Sequence, residues 1–283
     1  MRLRTASLIL TLFISSVAGI RGQAGPATPV ETQQALVAHL TAQQKQQFDD
    51  AGKAFNAAHF ADALTAYKRL LKDLPGDAVL SKFAGEAALD VGDTTFALET
   101  LKPITQSNPN DWQAVALLTR AYAESGDKAG RDAGIAQMLD LHKRGITPPN
   151  TRQFIVERTK VGEHVVLIFV SLAPWGRYHV YNYAQIFDEG GRLALRAAVE
   201  SDDADQSAFA KQHPTEAAAG VRSFSLDGYQ DSGKNSDGHP TETHYTFKFF
   251  TGRPAYDTVR NEFLSIVSGQ TKPISSRVNV LSQ

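Results

Sequence analysis

The sequence has 283 residues, a formal net charge of −1 at pH 7 and no cysteine. A chain of this length can form two domains, each with its own hydrophobic core. Without cysteine it has no disulfides, thiolate metal ligands, cysteine nucleophile or lipid-anchored cysteine. Because basic residues are not in excess, we expect the chain to bind neither nucleic acid nor anionic lipid.

Residues 1–24 have the pattern of a secretory signal peptide. Arg2 and Arg4 precede an uncharged run of sixteen residues, which small residues follow. This run is shorter than the roughly 20 apolar residues of a membrane span, so we expect no stable membrane anchor after cleavage. Cleavage after Ala18 or Ala24 fits the pattern, and we favour Ala24. We therefore expect an exported, soluble protein, periplasmic or secreted, and the lack of cysteine favours a bacterial one.

A repeat of 34 residues covers residues 41–145, after an expected linker and lead-in helix at 25–40. Pro75 and Pro109 are separated by this period, and the same pattern of small, aromatic and aliphatic residues precedes each of them. Small residues let helices approach closely, and aromatic residues fill the space between them. In the second helix of each pair, Ala63, Tyr67 and Leu70 of the first copy correspond to Ala97, Leu101 and Ile104 of the second. In the first helix, the first copy has Phe48, Gly52 and Phe55, and the second copy has Gly85 and Ala88 at the last two of these positions.

A third copy begins near Trp112. Its second helix departs from the pattern, because Arg131 occupies the position of a small residue, so we expect Ala129, Ala133 and Met138 to pack in another register. Terminal repeats often differ in this way, since one of their faces must cap the stack. The three copies resemble the tetratricopeptide repeat (TPR) family. The resemblance implies an α-solenoid of three helix pairs that binds a protein or peptide partner.

The resemblance also implies a concave groove lined by the first helix of each pair. On this chain, the groove positions hold polar and charged residues of both signs. They do not reproduce the basic and amide cluster with which some relatives clamp a terminal carboxylate, so that ligand is disfavoured. A solvated helix face is the alternative interpretation of each position. The groove positions are Lys53 and Asn56 in the first pair, Lys82, Glu86 and Asp90 in the second, and Arg120 and Glu124 in the third.

The character of the sequence changes after an expected linker at 146–152. Short runs of β-branched and aromatic residues then alternate with turn residues, which is typical of a mainly antiparallel sheet. We assign residues 153–270 to an α+β domain. The predicted strands cover residues 154–159, 164–172, 178–187, 193–200, 222–226 and 243–250.

Two helices are predicted beside the strands, a short one over 205–211 and an amphipathic one over 254–268 that covers one face of the sheet. Residues 271–283 are expected to form an extended tail, in which 278–281 would be a marginal edge strand. The expected fold class is therefore multidomain, with a helical solenoid followed by an α+β domain.

Aromatic residues are frequent around the third predicted strand, from Trp175 and Tyr178 onward. Alternation along a strand would place Tyr181, Tyr183 and Phe187 on one face. An uncovered aromatic strip of this size would favour association. We therefore expect that face to lie under the C-terminal helix, with an exposed ligand platform as the alternative.

A candidate metal-ligating set lies in a polar loop and at the start of the predicted strand 243–250, into which this loop leads. His239, Glu242 and His244 offer imidazole and carboxylate groups, which can bind a transition metal. A metal-assisted hydrolase is therefore the alternative function of this chain. The spacing matches no known metal motif, so a solvated, flexible loop is the simpler interpretation.

These features together predict an exported protein-binding or scaffold module that uses the TPR groove, with no catalytic activity and no cofactor. The chain as a whole resembles uncharacterised exported bacterial TPR proteins with a β-rich C-terminal domain. That resemblance implies a class of protein rather than a mechanism. A structural subunit that uses its surface only for assembly is a further alternative, and the sequence leaves the identity of the partner and the oligomeric state open.

Overall fold

The computed structural model describes residues 32–173 and 179–281, apart from the side chains of residues 203–205. The chain divides into two compact units between Pro148 and Pro149. The described part of the first unit is helical. Its helices are α1 (Gln33–His39), α2 (Ala42–Asn56), α3 (Phe60–Asp73), α4 (Ala78–Val91), α5 (Thr94–Ser107), α6 (Trp112–Ser125) and α7 (Lys128–Lys143).

Aspartate residues cap the N-termini of helices α4 to α7, and glycine residues end α4 and α6. Each cap accepts a hydrogen bond from a backbone N–H in the first helical turn, which satisfies a donor that the helix start leaves free. Helices α4 and α6 end at Gly92 and Gly126, with φ angles of 85° and 82° that favour glycine. Caps and stops both recur at the 34-residue period. The caps are Asp77 for α4, Asp93 for α5, Asp111 for α6 and Asp127 for α7.

The helices of the first unit pack as three consecutive pairs, α2 with α3, α4 with α5 and α6 with α7, which confirms the predicted helical architecture. The rings of Phe48, Tyr67 and Phe83 lie 5.4 to 6.0 Å apart between the first two pairs. Gly85 lies against Leu101, and a Cβ atom on Gly85 would approach that side chain to 2.9 Å. The predicted small position is therefore required by the close approach of two helices.

Helix α7 packs in a register different from the one predicted. Met138 is fully buried as expected, but Ala129 and Ala133 are exposed. Gly134 takes the contact position instead, and a Cβ atom there would lie 2.1 Å from the Thr119 hydroxyl oxygen. Arg131 is buried, and its guanidinium reaches the exposed carboxylate of Asp132 at 2.8 Å. The expectation for Ala129 and Ala133 was therefore wrong.

The second unit contains one antiparallel sheet of seven strands in sequence order, so each described strand pairs with its neighbour along the chain. This confirms the predicted sheet. The sheet's strands are β1 (Gln153–Val161), β2 (His164–Ser171), β3 (Asn182–Phe187), β4 (Leu193–Glu200), β5 (Ser223–Lys234), β6 (Pro240–Thr251) and β7 (Ser275–Val280).

Helices α8 (Asp203–Gln212) and α9 (Pro214–Ala218) connect β4 to β5, and α10 (Tyr256–Val267) follows β6. Helix α10 buries Val259, Phe263 and Ile266 against one face of the sheet, which includes Ile168 and Leu226. The amphipathic pattern of this helix therefore predicted its role correctly.

Two strands are longer than the sequence predicts. Strand β5 runs on to Lys234 and β6 begins at Pro240, so Glu242 lies in a strand and not in a loop. The expected tail at 271–283 contains β7, which begins at Ser275 and pairs with β6. In each case backbone hydrogen bonds form a ladder where side-chain composition indicates a loop.

The aromatic residues of the third strand divide between the two faces. Tyr183 and Phe187 lie on the face away from α10, where the Tyr183 ring stacks on Phe169 at 4.4 Å. Tyr181 precedes the strand and packs with Phe224 on the α10 side. The prediction that all three aromatic residues share a helix-covered face was therefore wrong. Trp175 and Tyr178 lie outside the described residues.

Within the described residues, no helix is both long and apolar enough to span a membrane. The expected signal peptide at 1–24 lies outside the described part of the chain.

Candidate functional site

A row of polar side chains crosses the sheet on the face opposite α10. In the register of the sheet, Tyr229 of β5 lies between Arg196 of β4 and His244 of β6. Successive side chains of a strand point to opposite faces. Asp227 therefore shares the face of Tyr229, and Glu242 shares the face of His244. The row extends over three neighbouring strands.

Asp227 is the centre of the hydrogen bonds in this row. The Thr246 hydroxyl donates to Asp227 Oδ1 at 2.8 Å, and His244 Nε2 lies 3.0 Å from the same oxygen. The Ser225 hydroxyl donates to Asp227 Oδ2. A nucleophilic triad requires the serine to bond to the histidine, whereas Ser225 bonds to the carboxylate here. The arrangement therefore holds the carboxylate of Asp227 in place and does not activate Ser225.

Glu200, the last residue of β4, extends the row with a second buried carboxyl group. The Tyr229 hydroxyl donates a hydrogen bond to Glu200 Oε1. Burial raises the pKa of Glu200 to about 7; the nearby Asp227 adds to this rise, and the hydrogen bond from Tyr229 opposes it. Burial and the negative charge of Glu200 also raise the pKa of Tyr229. Near neutral pH, Glu200 therefore retains a proton in part of the molecules, which an exposed glutamate would not.

Aromatic and cationic groups on the neighbouring strands fix the ring of Tyr229. The imidazole of His244 stacks on this ring with centroids 4.8 Å apart and planes 7° apart. The guanidinium of Arg196 lies 4.8 Å from the ring centroid and donates to Glu242 Oε2 at 3.3 Å. These contacts restrict the orientation of the His244 ring, whose Nε2 atom is directed at Asp227.

Within the described residues, one group of three side chains could hold a metal ion, and it consists of Glu200, Asp227 and His244. One ligand atom from each lies within 4.8 Å of the others. The predicted set differs, since His239 is exposed in the β5–β6 turn and Glu242 is paired with Arg196. The structure thus keeps His244 as a candidate ligand but gives it different partners.

The predicted groove residues of α4 and α6 form buried ion pairs. Arg120 donates to Asp90 Oδ1 at 2.8 Å and to Glu124 Oε1 at 2.7 Å. Lys82 donates to Asp111 Oδ2 at 2.8 Å. Arg120 is 4% exposed and Lys82 is 7% exposed. These positions are therefore not the solvated helix face that was the alternative interpretation.

Glu86 lies beside the Arg120 pairs on α4. Burial and the neighbouring Asp90 raise the pKa of Glu86 to about 8, and Arg120 partly opposes this rise. The two predicted groove residues of α2 are placed differently, because Lys53 and Asn56 are both exposed. Lys53 pairs with Asp50, one turn away, at 3.0 Å.

A cleft of about 820 Å³ lies between α3 and α5 on the second helices of the first two pairs. Its lining is mainly apolar and includes Leu71, Phe96 and Ile104. Lys68 and Lys72 also line the cleft. Lys68 pairs with Asp93 at 3.1 Å, and its ammonium group lies 4.0 Å from the centroid of the Phe96 ring.

Sequence reasoning identified neither this cleft nor the Glu200, Asp227 and Tyr229 cluster. Pro75 and Ile104 of the cleft belong to the repeat pattern, but most of its other lining residues lie outside that pattern. With His244, the cluster joins residues from three strands, and only the alternation of Asp227 with Tyr229 was readable from the sequence. The register that adds Glu200 and His244 depends on tertiary pairing.

Comparison with known proteins adds little to these sites. No family model matches the sequence, and no curated protein matches it. Among solved structures, the chain is similar to the Sgt2 TPR domain from Aspergillus fumigatus, with 17% identity and a TM-score of 0.35 over 38% of this chain and 72% of that one. A likeness at this score carries no argument about function, and the resemblance of the whole chain to exported TPR proteins stays a prediction.

Proposed function

We propose that this chain is an exported protein-interaction scaffold whose helical unit binds an extended segment of a partner protein in the cleft between α3 and α5. The observation that supports this proposal most directly is the cleft itself. It combines an apolar lining, which includes Leu71, Phe96 and Ile104, with two lysines on one of its helices. Apolar surface supplies binding free energy, and a small number of polar groups supply orientation.

The groove residues on α4 and α6 are a less favourable binding surface. A ligand of Lys82 or Arg120 would first have to separate a buried ion pair, which costs about 3–5 kcal/mol when one partner is left unpaired. The cleft requires no such step. The proposal therefore keeps the expected scaffold role but moves the partner to the second helices.

The charges of the cleft favour a partner segment of a particular chemistry. Lys72 is exposed and has no ion-pair partner among the described residues, whereas Lys68 forms an ion pair with Asp93. An apolar side chain of the partner would enter the space between Leu71 and Phe96, and an acidic side chain would meet Lys72. We expect such a segment to bind without any catalytic step on this chain.

A photo-crosslinking residue in the cleft tests the proposal. We would place it at Thr100, which lines the cleft, and in a control at Lys45, which is exposed on α2 and does not line it. A partner captured from Thr100 alone would be identified, and its segment would be purified. Lys72→Glu should then weaken binding of that segment about tenfold, or about 1.4 kcal/mol, whereas Lys45→Glu should leave it unchanged. If Lys72→Glu and Lys45→Glu bind the segment equally well, the cleft is not the binding site.

Export is the second part of the proposal and rests on the sequence of residues 1–24. Arg2, Arg4 and the uncharged run that follows them are typical of a signal peptide. N-terminal sequencing of the protein recovered from the native host should begin at Gly25. A cytoplasmic protein that still carries these residues would contradict export and leave the binding test unaffected.

A further inference from the structure

The strongest feature of the second unit that the proposed function does not use is the cluster of Glu200, Asp227 and His244. These three residues come from β4, β5 and β6, and one ligand atom from each lies within 4.8 Å of the others. Glu200 is 8% exposed and Asp227 is 4% exposed. Two carboxylates and an imidazole are therefore held together on a rigid sheet, away from bulk water.

The distances suit a small divalent ion. Neighbouring ligand atoms bound to zinc at about 2.0–2.2 Å lie on the order of 3.4 Å apart in a tetrahedral site. His244 Nε2 and Asp227 Oδ1 are 3.0 Å apart, which is already close to that spacing. Glu200 belongs to the last residue pair of the β4–β5 ladder. Rotation of its carboxylate can bring the remaining distances within range without a change in the strands.

The surroundings of the three residues resemble the supporting groups of metal ligands. The Tyr229 hydroxyl donates to Glu200, and the Thr246 hydroxyl donates to Asp227. The stacked Tyr229 ring orients the imidazole of His244. Hydrogen bonds and contacts of this kind fix the position of a ligand and tune its affinity for a metal.

Among the described residues, neither Glu200 nor Asp227 forms an ion pair with a lysine or arginine. Arg196 is the nearest cation in the row, but it donates to Glu242, and its side chain is 41% exposed. A divalent cation between the carboxylates would supply the missing charge, which is a common solution for buried acidic groups.

We propose that Glu200, Asp227 and His244 bind one divalent transition-metal ion, with Zn²⁺ as the best match to two carboxylates and one imidazole. Three protein ligands leave a fourth position for water or for a group of a bound molecule. The proposal goes beyond the scaffold function and is independent of the cleft in the helical unit. It also differs from the set of His239, Glu242 and His244, since two of its three ligands were not in that set.

Calorimetric titration of the full mature chain with Zn²⁺ alone, after treatment with a chelator, tests the site. We expect one site per chain in the wild type and a loss of at least about 30-fold in affinity in His244→Gln and in Asp227→Asn. The matched control is His239→Gln, because this histidine is exposed in the adjoining turn and should leave the affinity unchanged. Tyr229→Phe keeps the ring and all three ligands, and it should weaken binding about tenfold.

Wild-type protein that takes up no stoichiometric Zn²⁺ would overturn the proposal, and so would equal losses in the His239 and His244 variants. If His244→Gln does not fold, Glu200→Gln decides the same question, because it removes one charge and keeps the side-chain shape. Thermal unfolding gives an independent readout. Added Zn²⁺ should raise the Tm of the second unit in the wild type and not in Glu200→Gln, since a ligand stabilises only the state that binds it.

Discussion

The Arg120 network of the helical unit and the Glu200 and Asp227 cluster of the sheet both contain buried carboxylates, but their negative charge is balanced in different ways. In the helical unit, Arg120 supplies a fixed positive charge to Asp90 and Glu124 through hydrogen bonds of 2.8 and 2.7 Å. In the sheet, Glu200 and Asp227 receive hydrogen bonds from neutral hydroxyl groups and lie beside a single imidazole. The Arg120 network contains its own positive charge, whereas in the sheet cluster burial raises the pKa of Glu200 to about 7.

This difference indicates separate roles for the two networks. Ion pairs between α4 and α6 join consecutive repeats, and a ligand could use them only by breaking them. A cation bound in the sheet cluster would displace the hydrogen bond between His244 Nε2 and Asp227 Oδ1, but it would break no ion pair with a lysine or arginine. The helical network is therefore part of the fold, and the sheet cluster is the better candidate for binding. Three variants test this difference.

Removal of Arg120 should have the largest effect. Arg120→Met removes the guanidinium that donates to Asp90 and Glu124, in surroundings where Arg120 itself is 4% exposed. We expect the free energy of unfolding of the helical unit to fall by about 3–5 kcal/mol. Urea unfolding followed by helical circular dichroism measures this change.

The matched control is Arg144→Met, because Arg144 pairs with Asp140 while its side chain is 47% exposed. An exposed pair contributes less than about 1 kcal/mol. Similar losses in the two variants would show that the Arg120 network does not behave as a buried one. Charge reversal at Lys82 or Arg120 would break a buried ion pair, so a loss of stability would be confused with a loss of ligand binding.

Glu86 should make the stability of the helical unit depend on pH. Its pKa is raised from 4.5 to about 8 in the fold, mainly by burial. Between these values the folded state holds a proton that the unfolded state has released, so stability falls as the pH rises. Asp90 strengthens this effect, and Arg120 weakens it.

Glu86→Gln should remove this dependence. Its free energy of unfolding should exceed that of the wild type by about 1–3 kcal/mol at pH 8, and the difference should shrink towards pH 4.5. Urea unfolding at several pH values measures it. Glu99→Gln is the control, since Glu99 is exposed on α5 and should give a difference that does not change with pH. A constant difference for Glu86→Gln as well would contradict the assigned pKa.

The helical unit was the more predictable part of the fold, and the reason is packing. Gly85 must be small because Leu101 lies against it, so close contact between helices restricts the residue type at a fixed period. Strands β5 and β6 were predicted too short, because the segments that the prediction left out, 227–234 and 240–242, are rich in polar and turn residues. Their pairing depends on backbone hydrogen bonds, which side-chain composition reports poorly.

The candidate sites were less predictable than the fold. Lys82 and Asp111 are distant in sequence, and the positions of groove residues gave no sign that each would face a buried partner. Asp227 and His244 are likewise joined only by the pairing of β5 with β6. His244 was recognised as a candidate ligand from its side-chain chemistry alone. Its partners required the register of the sheet, which a single sequence does not determine.

Tyr229→Phe should have the smallest effect and tests the sheet network in the absence of metal. The variant keeps the ring beside His244 and Arg196 but removes the hydroxyl that donates to Glu200. Because a buried acceptor then loses its partner, we expect the free energy of unfolding of the second unit to fall by about 1–2 kcal/mol. Urea unfolding in the presence of a chelator, followed by tyrosine or tryptophan fluorescence, measures this loss.

Tyr245→Phe provides the comparison within the same sheet. The Tyr245 hydroxyl donates to Gln230 at 3.0 Å in an exposed position, where water can replace the lost partner. This variant should therefore change the free energy of unfolding by less than about 0.5 kcal/mol. If the two tyrosine variants are equally stable, the hydroxyl of Tyr229 does not support Glu200. The sheet cluster would then lose the neutral donor that distinguishes it from the ion pairs of the helical unit.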